Sequence, residues 1–400
     1  MDKAQRKYIY DIQGGEDGKK LYDAVQKAID KAKLLADVVI GLGHLGVDPS
    51  SSPWTSEEVI AHTSGFDAFI DGHSHTVMEN KQVQDASGKA VTLTQTGSYF
   101  ANVGEMTIAA DGTITTKLIP THEGMDAGIA AMQTGWVNTV DDMLGEKIAV
   151  GDSDFYVSDP ATGKRRIRSA ETNLGDFVAD GIYTYFNEVE KLHCDVAIMN
   201  GGGIRADVPA GDWTFKTCKQ VSPFGNVACL MSVTGKQIQD ALEFAARFAG
   251  EDGKENGGFL QVAGATYEIH TDIPNTVQTD EKNVWIGSAT GTPRVQNVKI
   301  YDKASGSYLP LDLGATYALA GMNYTLRNLG DGFAMFDGAE LIKDYVSEDY
   351  LVMSTYAMTF DGADAAGLPH LSSANSPLAA YPGYLLNYEQ PYGAGRITIL

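Results

Sequence analysis

Ile70-Asp71-Gly72-His73-Ser74-His75-Thr76 closes the short apolar run Phe66-Asp67-Ala68-Phe69-Ile70, and its reading decides the fold of the N-terminal region. Two imidazoles one residue apart, in a glycine-containing turn at the end of a strand, can both face one cation, because neutral imidazole is a metal ligand. The plainer reading is a surface turn whose two rings only hydrogen-bond. The sequence upstream separates the two. Ala36-Asp37-Val38-Val39-Ile40-Gly41-Leu42-Gly43-His44 is a second apolar, β-branched run that ends in glycine and histidine, as a buried parallel strand ending at a functional loop would. Between the runs, Thr55 and Glu58 make a capping box that opens a short helix. Strand, helix, strand predicts two parallel strands whose ligands gather beyond their carboxyl ends. His44, His73 and His75 all fall at that end, which favours metal binding over a plain turn.

The chain has 400 residues, enough for two or three domains with full cores. Its 52 acidic and 30 basic residues give a net charge of -22, which repels phosphate backbones and anionic membranes and argues against nucleic-acid polymers as partners. Cys194, Cys218 and Cys229 form an odd set without metal spacing, so no disulfide framework is implied. No run approaches the roughly 18 apolar residues of a membrane helix, and no charged-then-apolar leader opens the chain. Lys19 to Lys33 carries Leu21, Val25, Ala28, Ile29 and Ala32 at helical spacing, a helix that covers a sheet. Only the two strands above and Val91-Thr92-Leu93-Thr94-Gln95 follow it, and so small a sheet rarely stands alone. The expectation is therefore that the chain begins inside a domain, leaving an edge able to pair with other strands.

Beyond Gln95 the pattern turns antiparallel, with Gly104 to Ala110 and Thr113 to Leu118 flanking the hairpin dipeptide Asp111-Gly112. A connecting helix is predicted between Glu123 and Lys147, where Met125, Ile129, Met132, Trp136, Val140 and Leu144 make one stripe, read as ordinary packing. The second region, 151–400, reads as mixed α and β. Glu171 to Glu190 carries Leu174, Phe177, Val178, Ile182 and Phe186 on one helical face, and the strand Cys194 to Met199 follows. Asn200-Gly201-Gly202-Gly203-Ile204-Arg205 then lets backbone approach a ligand closely and offers a guanidinium fork suited to phosphate or carboxylate. It fits neither the dinucleotide fingerprint nor the phosphate loop. Gln220 to Asn226 is expected to interrupt two strands with a turn that pushes Phe224 outward. Thr234 and Gln237 make a capping box ahead of buried Ile238, Ala241, Leu242 and Ala245. Gly257 to Gly264 reads as a glycine-bounded strand, and another ends at Asn323-Tyr324, before the turn Arg327 to Gly332. Taken singly, Phe224, Tyr324 and Asp331 read as core or turn residues.

Together these blocks resemble the 5'-nucleotidase family of two-domain metallophosphoesterases. The resemblance rests on Gly43-His44-Leu45-Gly46, Gly72-His73-Ser74-His75, Glu171-Thr172-Asn173-Leu174-Gly175, Asn200 to Arg205, Pro223-Phe224-Gly225-Asn226 and Gly330-Asp331-Gly332, in matching order and spacing. It implies an α/β (α+β) fold: the C-terminal half of a calcineurin-like αββα sandwich over 1–122, a connecting helix over 123–150, and a 5'-nucleotidase C-terminal substrate-binding domain over 151–400. It implies that His44 and His73 ligate one divalent metal and His75 a second, zinc, manganese or similar. Arg168, Asn200 and Arg205 would lie around phosphate and ribose, Phe224 and Tyr324 would sandwich the base, and Asp331 would accept from the ribose hydroxyls. Tyr324 stands where the family more often has phenylalanine, and the segment from Asn323 to Asp331 is one residue longer than its usual pattern.

The implied activity is hydrolysis of nucleotides to nucleoside and phosphate, extracellular, periplasmic or at the cell surface as in most of the family. Two metals roughly 3.5 to 4 Å apart can clamp a phosphate and lower the pKa of a bound water toward about 7. Alternatives are a 2',3'-cyclic nucleotide phosphodiesterase, a UDP-sugar hydrolase, a nucleoside-binding module without chemistry, or a surface protein that has kept only the fold. One departure bears on activity. The family's Asp-x-His, its bridging aspartate and its Asn-His-Asp motif with the catalytic histidine have no counterpart before His44. The chain alone is thus expected to bind metal weakly, to contain no catalytic residue of its own, and to hydrolyse little.

Overall fold

The computed structural model describes residues 17–48, 51–121, 124, 126–251 and 254–400, and the chain divides into two compact units between Ile129 and Ala130. The first unit runs α1 (Lys19–Lys33), β1 (Ile40–Leu42), α2 (Ser56–Ala61), β2 (Ala68–Ile70), β3 (Val77–Gln84), β4 (Ala90–Thr96), β5 (Asn102–Ile108) and β6 (Ile114–Pro120). Its main sheet has the order β1-β2-β4-β3, with β1, β2 and β4 parallel and β3 antiparallel to β4. Register Ile40↔Ala68 and Leu42↔Ile70 brings the carboxyl ends of β1 and β2 level. Tyr22 and Ile29 of α1 close over Val39, Phe66, Phe69, Val91 and Leu93 as one apolar cluster. The Thr55–Glu58 capping box is present: the Thr55 side chain accepts from the Glu58 amide, and the Glu58 carboxylate accepts from the Thr55 amide. β5 and β6 pair around Asp111-Gly112 as the dipeptide predicts.

α3 (Ala127–Leu144) straddles the boundary, and Glu123 and Met125 of the predicted helix lie outside the described residues. Its apolar stripe does not pack as ordinary core: no residue of α3 is buried, and Trp136 is 66 % exposed. Periodicity shows that a face is apolar, not what covers it.

The second unit continues with β7 (Lys147–Gly151), α4 (Asn173–Thr184), β8 (Val196–Asn200), β9 (Gly211–Thr214), α5 (Phe215–Val221), β10 (Ala228–Thr234), α6 (Gly235–Ala245), β11 (Leu260–Ala263), β12 (Ala265–Ile269), β13 (Gln278–Thr279), β14 (Trp285–Gly287), β15 (Val295–Asp302), β16 (Ser307–Pro310), β17 (Thr316–Met322), α7 (Asn323–Leu326), β18 (Glu340–Lys343), α8 (Asp349–Ala357), β19 (His370–Leu371) and β20 (Ile397–Ile399). The central sheet, β11-β8-β17-β10-β18, separates two apolar clusters, one built on α4 and α8 and the other on α6. β7 pairs with β9 and β19, so 147–150 belong to a sheet and not to the linker. Two further local expectations are corrected. The segment before Phe224 is helical, α5, because Thr214 caps it through a reciprocal hydrogen-bond pair with Thr217. Asn323 and Tyr324 do not end a strand but open the single turn α7 after β17. Among the described residues no helix is long and apolar enough to cross a membrane.

Candidate functional site

In the first unit the three histidines fall just beyond β1 and β2. The Gly43 amide donates to the Ile70 carbonyl at 2.9 Å and the Leu45 amide to Asp71 Oδ1 at 2.8 Å, so the two strand ends are strapped side by side. The rings of His44 and His73 meet edge to face, 5.2 Å between centroids. Glycine at 72 leaves room for the His44 ring, since a Cβ there would lie 2.8 Å from His44 Nδ1. His73 and His75 both hold left-handed backbone, φ 76° and 56°. Such strain costs roughly 1–3 kcal/mol per residue and gathers at functional sites. Gln95 on β4 fixes the turn by accepting from Ser74 Oγ at 3.1 Å and from the Thr76 amide at 2.7 Å. The turn therefore aims His75 elsewhere, with its ring 6.2 Å from that of Tyr99.

His44 and His73 can share a cation, and Asp71 beneath them has a buried Oδ2 without a partner. Among the described residues, however, no three histidine, cysteine, aspartate or glutamate side chains gather in a group able to hold a metal ion. Among the described residues, the adjacent rings of His44 and His73 do not make a two-metal cluster.

In the second unit the predicted substrate residues converge. Asn200 is the last residue of β8, and the three glycines after it form a tight turn. Amides of Gly201 and Gly202 donate to the carbonyls of Phe259 and Gly257, at 2.7 and 2.8 Å. Glycine is mandatory at 201, where a Cβ would stand 2.3 Å from the Ile167 carbonyl oxygen. That close approach brings the segment bearing Arg168 against the glycine turn. The same segment is clamped by the buried amide of Gln261, which donates to the carbonyls of Ile167 at 3.1 Å and Ala170 at 2.9 Å. Arg205 donates back to the Gly202 carbonyl at 3.3 Å, and its guanidinium lies 5.6 Å from the centre of the Phe224 ring.

Asp331 is the hub. Asn200 Nδ2 donates to one of its oxygens at 3.1 Å and the Tyr324 hydroxyl to the other at 2.9 Å. Burial and the Asp331 charge push the Tyr324 phenol up to about 12, so it stays a neutral donor. Arg168 Nη1 lies 3.7 Å from Glu255, which also meets Arg165 at 3.5 Å, and Arg168 Nε is buried without a partner. Burial, then Arg165 and Arg205, hold the Arg168 guanidinium below its usual range despite Glu255 and Asp331. Arg165 and Arg168 share Glu255 while Arg205 and Asp331 act on Arg168 electrostatically, so three guanidiniums face two carboxylates and leave positive charge that an incoming phosphate would neutralise.

Phe224, in the turn before β10, and Tyr324, in α7 after β17, lie at one end of the antiparallel pair β10–β17, whose register includes Ala228↔Met322. The Val227 amide donates to Asn323 Oδ1 at 2.9 Å and the Asn323 amide to the Val227 carbonyl at 2.8 Å, which ties the loops together. Asp349 braces the Phe224 side by accepting from the Asn226 amide at 3.1 Å, and burial pushes its carboxyl up to about 6. Phe224 is 58 % exposed, an outward aromatic as its turn predicts. Sequence reasoning misses Gln261, Glu255 and Arg165. Arg165 sits within the basic run Lys164-Arg165-Arg166, which is the available signal; a buried glutamine inside a strand gives none.

Residues 149–338 match the family model of the 5'-nucleotidase C-terminal domain. The trifunctional nucleotide phosphoesterase YfkN of Bacillus subtilis (strain 168) is 30 % identical over 328 residues, 79 % of this chain and 20 % of that protein. The 5'-nucleotidase of Homo sapiens is 26 % identical over 363 residues, 83 % of this chain and 58 % of its own length. Among solved structures, the 5'-nucleotidase precursor of Thermus thermophilus shares the fold with a TM-score of 0.61 at 22 % identity, covering 95 % of this chain and 67 % of that one. The chain thus spans about a fifth to three fifths of the curated relatives it matches. Residues 149–338 of this chain thus match a 5'-nucleotidase C-terminal domain.

Proposed function

We propose that the second unit binds a nucleotide for a phosphohydrolase of its relatives' length, which converts nucleoside phosphates to nucleoside and phosphate. The observation that carries this reading is the convergence of Arg168, Asn200, Arg205, Tyr324 and Asp331, with Phe224 beside them, in one network of hydrogen bonds and charge. Arg168 and Arg205 take the phosphate, since paired guanidiniums match phosphate oxygens. Phe224 and Tyr324 flank the base, a contact worth roughly 1–3 kcal/mol and tolerant of base identity. Asp331 and Asn200 take the ribose. On this reading 1–122 is a partial metallophosphoesterase domain, 123–146 the connection and the region from β7 to residue 400 the substrate domain, in a protein acting outside the cytoplasm.

His44, His73 and His75 are the ligands this chain would offer to zinc or manganese, metals that would supply a low-pKa water. Neutral imidazoles alone offset none of the metals' charge, so no hydrolytic step is assigned to these 400 residues. The expected result with AMP and added manganese or zinc is saturable binding with little or no phosphate release. Robust release would show that these residues hold a complete metal centre. A nucleoside-binding module without chemistry is the second reading, in keeping with two adjacent histidine rings and no larger metal-holding group among the described residues.

A further inference from the structure

Asp331 stands in a strained turn. Leu329 and Asp331 are both non-glycine residues in left-handed backbone, φ 58° and 54°, followed by Gly332 at φ 88°. Two such residues are strained and persist only where their surroundings over-determine them. Tyr324 supplies the determination in two ways. Its ring lies flat on the backbone at Gly330, where a Cβ would come within 2.5 Å of the ring, so no other residue type fits there. Its hydroxyl then reaches across the turn to Asp331 Oδ1 at 2.9 Å, while Asn200 Nδ2 holds Oδ2 at 3.1 Å.

One protein donor on each oxygen fixes the plane of the carboxylate and still leaves each oxygen able to accept once more. Two adjacent acceptors held rigidly side by side are the complement of two vicinal hydroxyls. We propose that the Tyr324 hydroxyl is a positioning group that makes this site selective for ribonucleosides with an intact 2',3'-diol, acting through Asp331. The inference rests on the nucleoside reading of the site and adds a role that phenylalanine at this position could not perform. In a Tyr324→Phe protein the ring remains to stack on a base, but the carboxylate is free to rotate and the turn to relax.

The test is calorimetric titration of the full chain with adenosine and with 2',3'-dideoxyadenosine, in wild type and Tyr324→Phe. A carboxylate free to rotate makes poorer charge-assisted bonds to the two hydroxyls, so the variant should lose roughly tenfold in adenosine affinity. Dideoxyadenosine affinity, weaker in wild type, should not change. An equal loss for both ligands would reduce Tyr324 to a structural role, and an unchanged adenosine affinity would remove the latch; either overturns the proposal while leaving a nucleoside site in place. Wild type that binds neither ligand, or binds both equally well after Phe224→Ala, would overturn the nucleoside reading itself and this inference with it.

Discussion

Replacing Arg396 by methionine is expected to destabilise the second unit by about 3–5 kcal/mol, the penalty for leaving buried charge without its counter-ion. For a unit of this size that lowers Tm by on the order of 10 °C. Arg396 is fully buried. It donates to Asp180 Oδ2 at 2.7 Å and to the carbonyls of Leu385 at 2.7 Å and Val262 at 3.0 Å, with Asp176 at 3.8 Å. Asp180 also accepts from the hydroxyls of Tyr384 and Tyr388, both at 2.7 Å. Around this pair the C-terminal segment is strapped to α4: amides of Gly395, Arg396 and Ile397 donate to Glu171, and that of Ala394 to Asp176. Burial and Glu171 already hold the Asp176 carboxyl well above its usual range, against the opposing pull of Arg396 and the Ala394 amide. Methionine fills similar volume, so the loss reports charge more than cavity. A fall in Tm of under about 2 °C would mean that the network contributes shape alone.

The strap bears on function because Glu171 is three residues from Arg168, and its carbonyl accepts from Arg166 Nε at 2.8 Å. The second large effect is expected at the phosphate. Arg168→Ala with Arg205→Ala should weaken AMP binding by about 100-fold or more, each charge-assisted contact being worth roughly 1.5–3 kcal/mol. Adenosine, without a phosphate, should lose less than about tenfold. Titration in the presence of a chelator separates binding from any turnover. Equal losses for the two ligands would show that the arginines hold the glycine turn and not the phosphate.

Where neighbours in sequence decide the structure, the sequence is readable. α1 spans Lys19–Lys33 as its apolar stripe predicts, the boxes at Thr55 and Thr234 cap α2 and α6, and Asp111-Gly112 turns the β5–β6 hairpin. β3 is not legible in this way, because Val77–Gln84 is mostly polar and becomes a strand only by pairing with β4. The exposure of α3 is hidden for the converse reason, since an apolar stripe looks the same covered or bare. For the site, the resemblance names the residues but not their contacts. That Tyr324 and Asn200 grip opposite oxygens of Asp331 depends on β8 and the loop after β17 meeting in space, 131 residues apart along the chain for Asn200 and Asp331. Gln261 and Arg396 are illegible for the same reason: a polar residue in an apolar run shows its purpose only when its distant partners are placed.

The most direct test is titration of adenosine into wild type and into a Phe224→Ala, Tyr324→Ala double variant. Stacking worth roughly 1–3 kcal/mol from each ring predicts saturable binding by wild type and a loss of about 100-fold in the variant. Adenosine binding with the same affinity to both proteins would contradict a nucleoside site between these two aromatics.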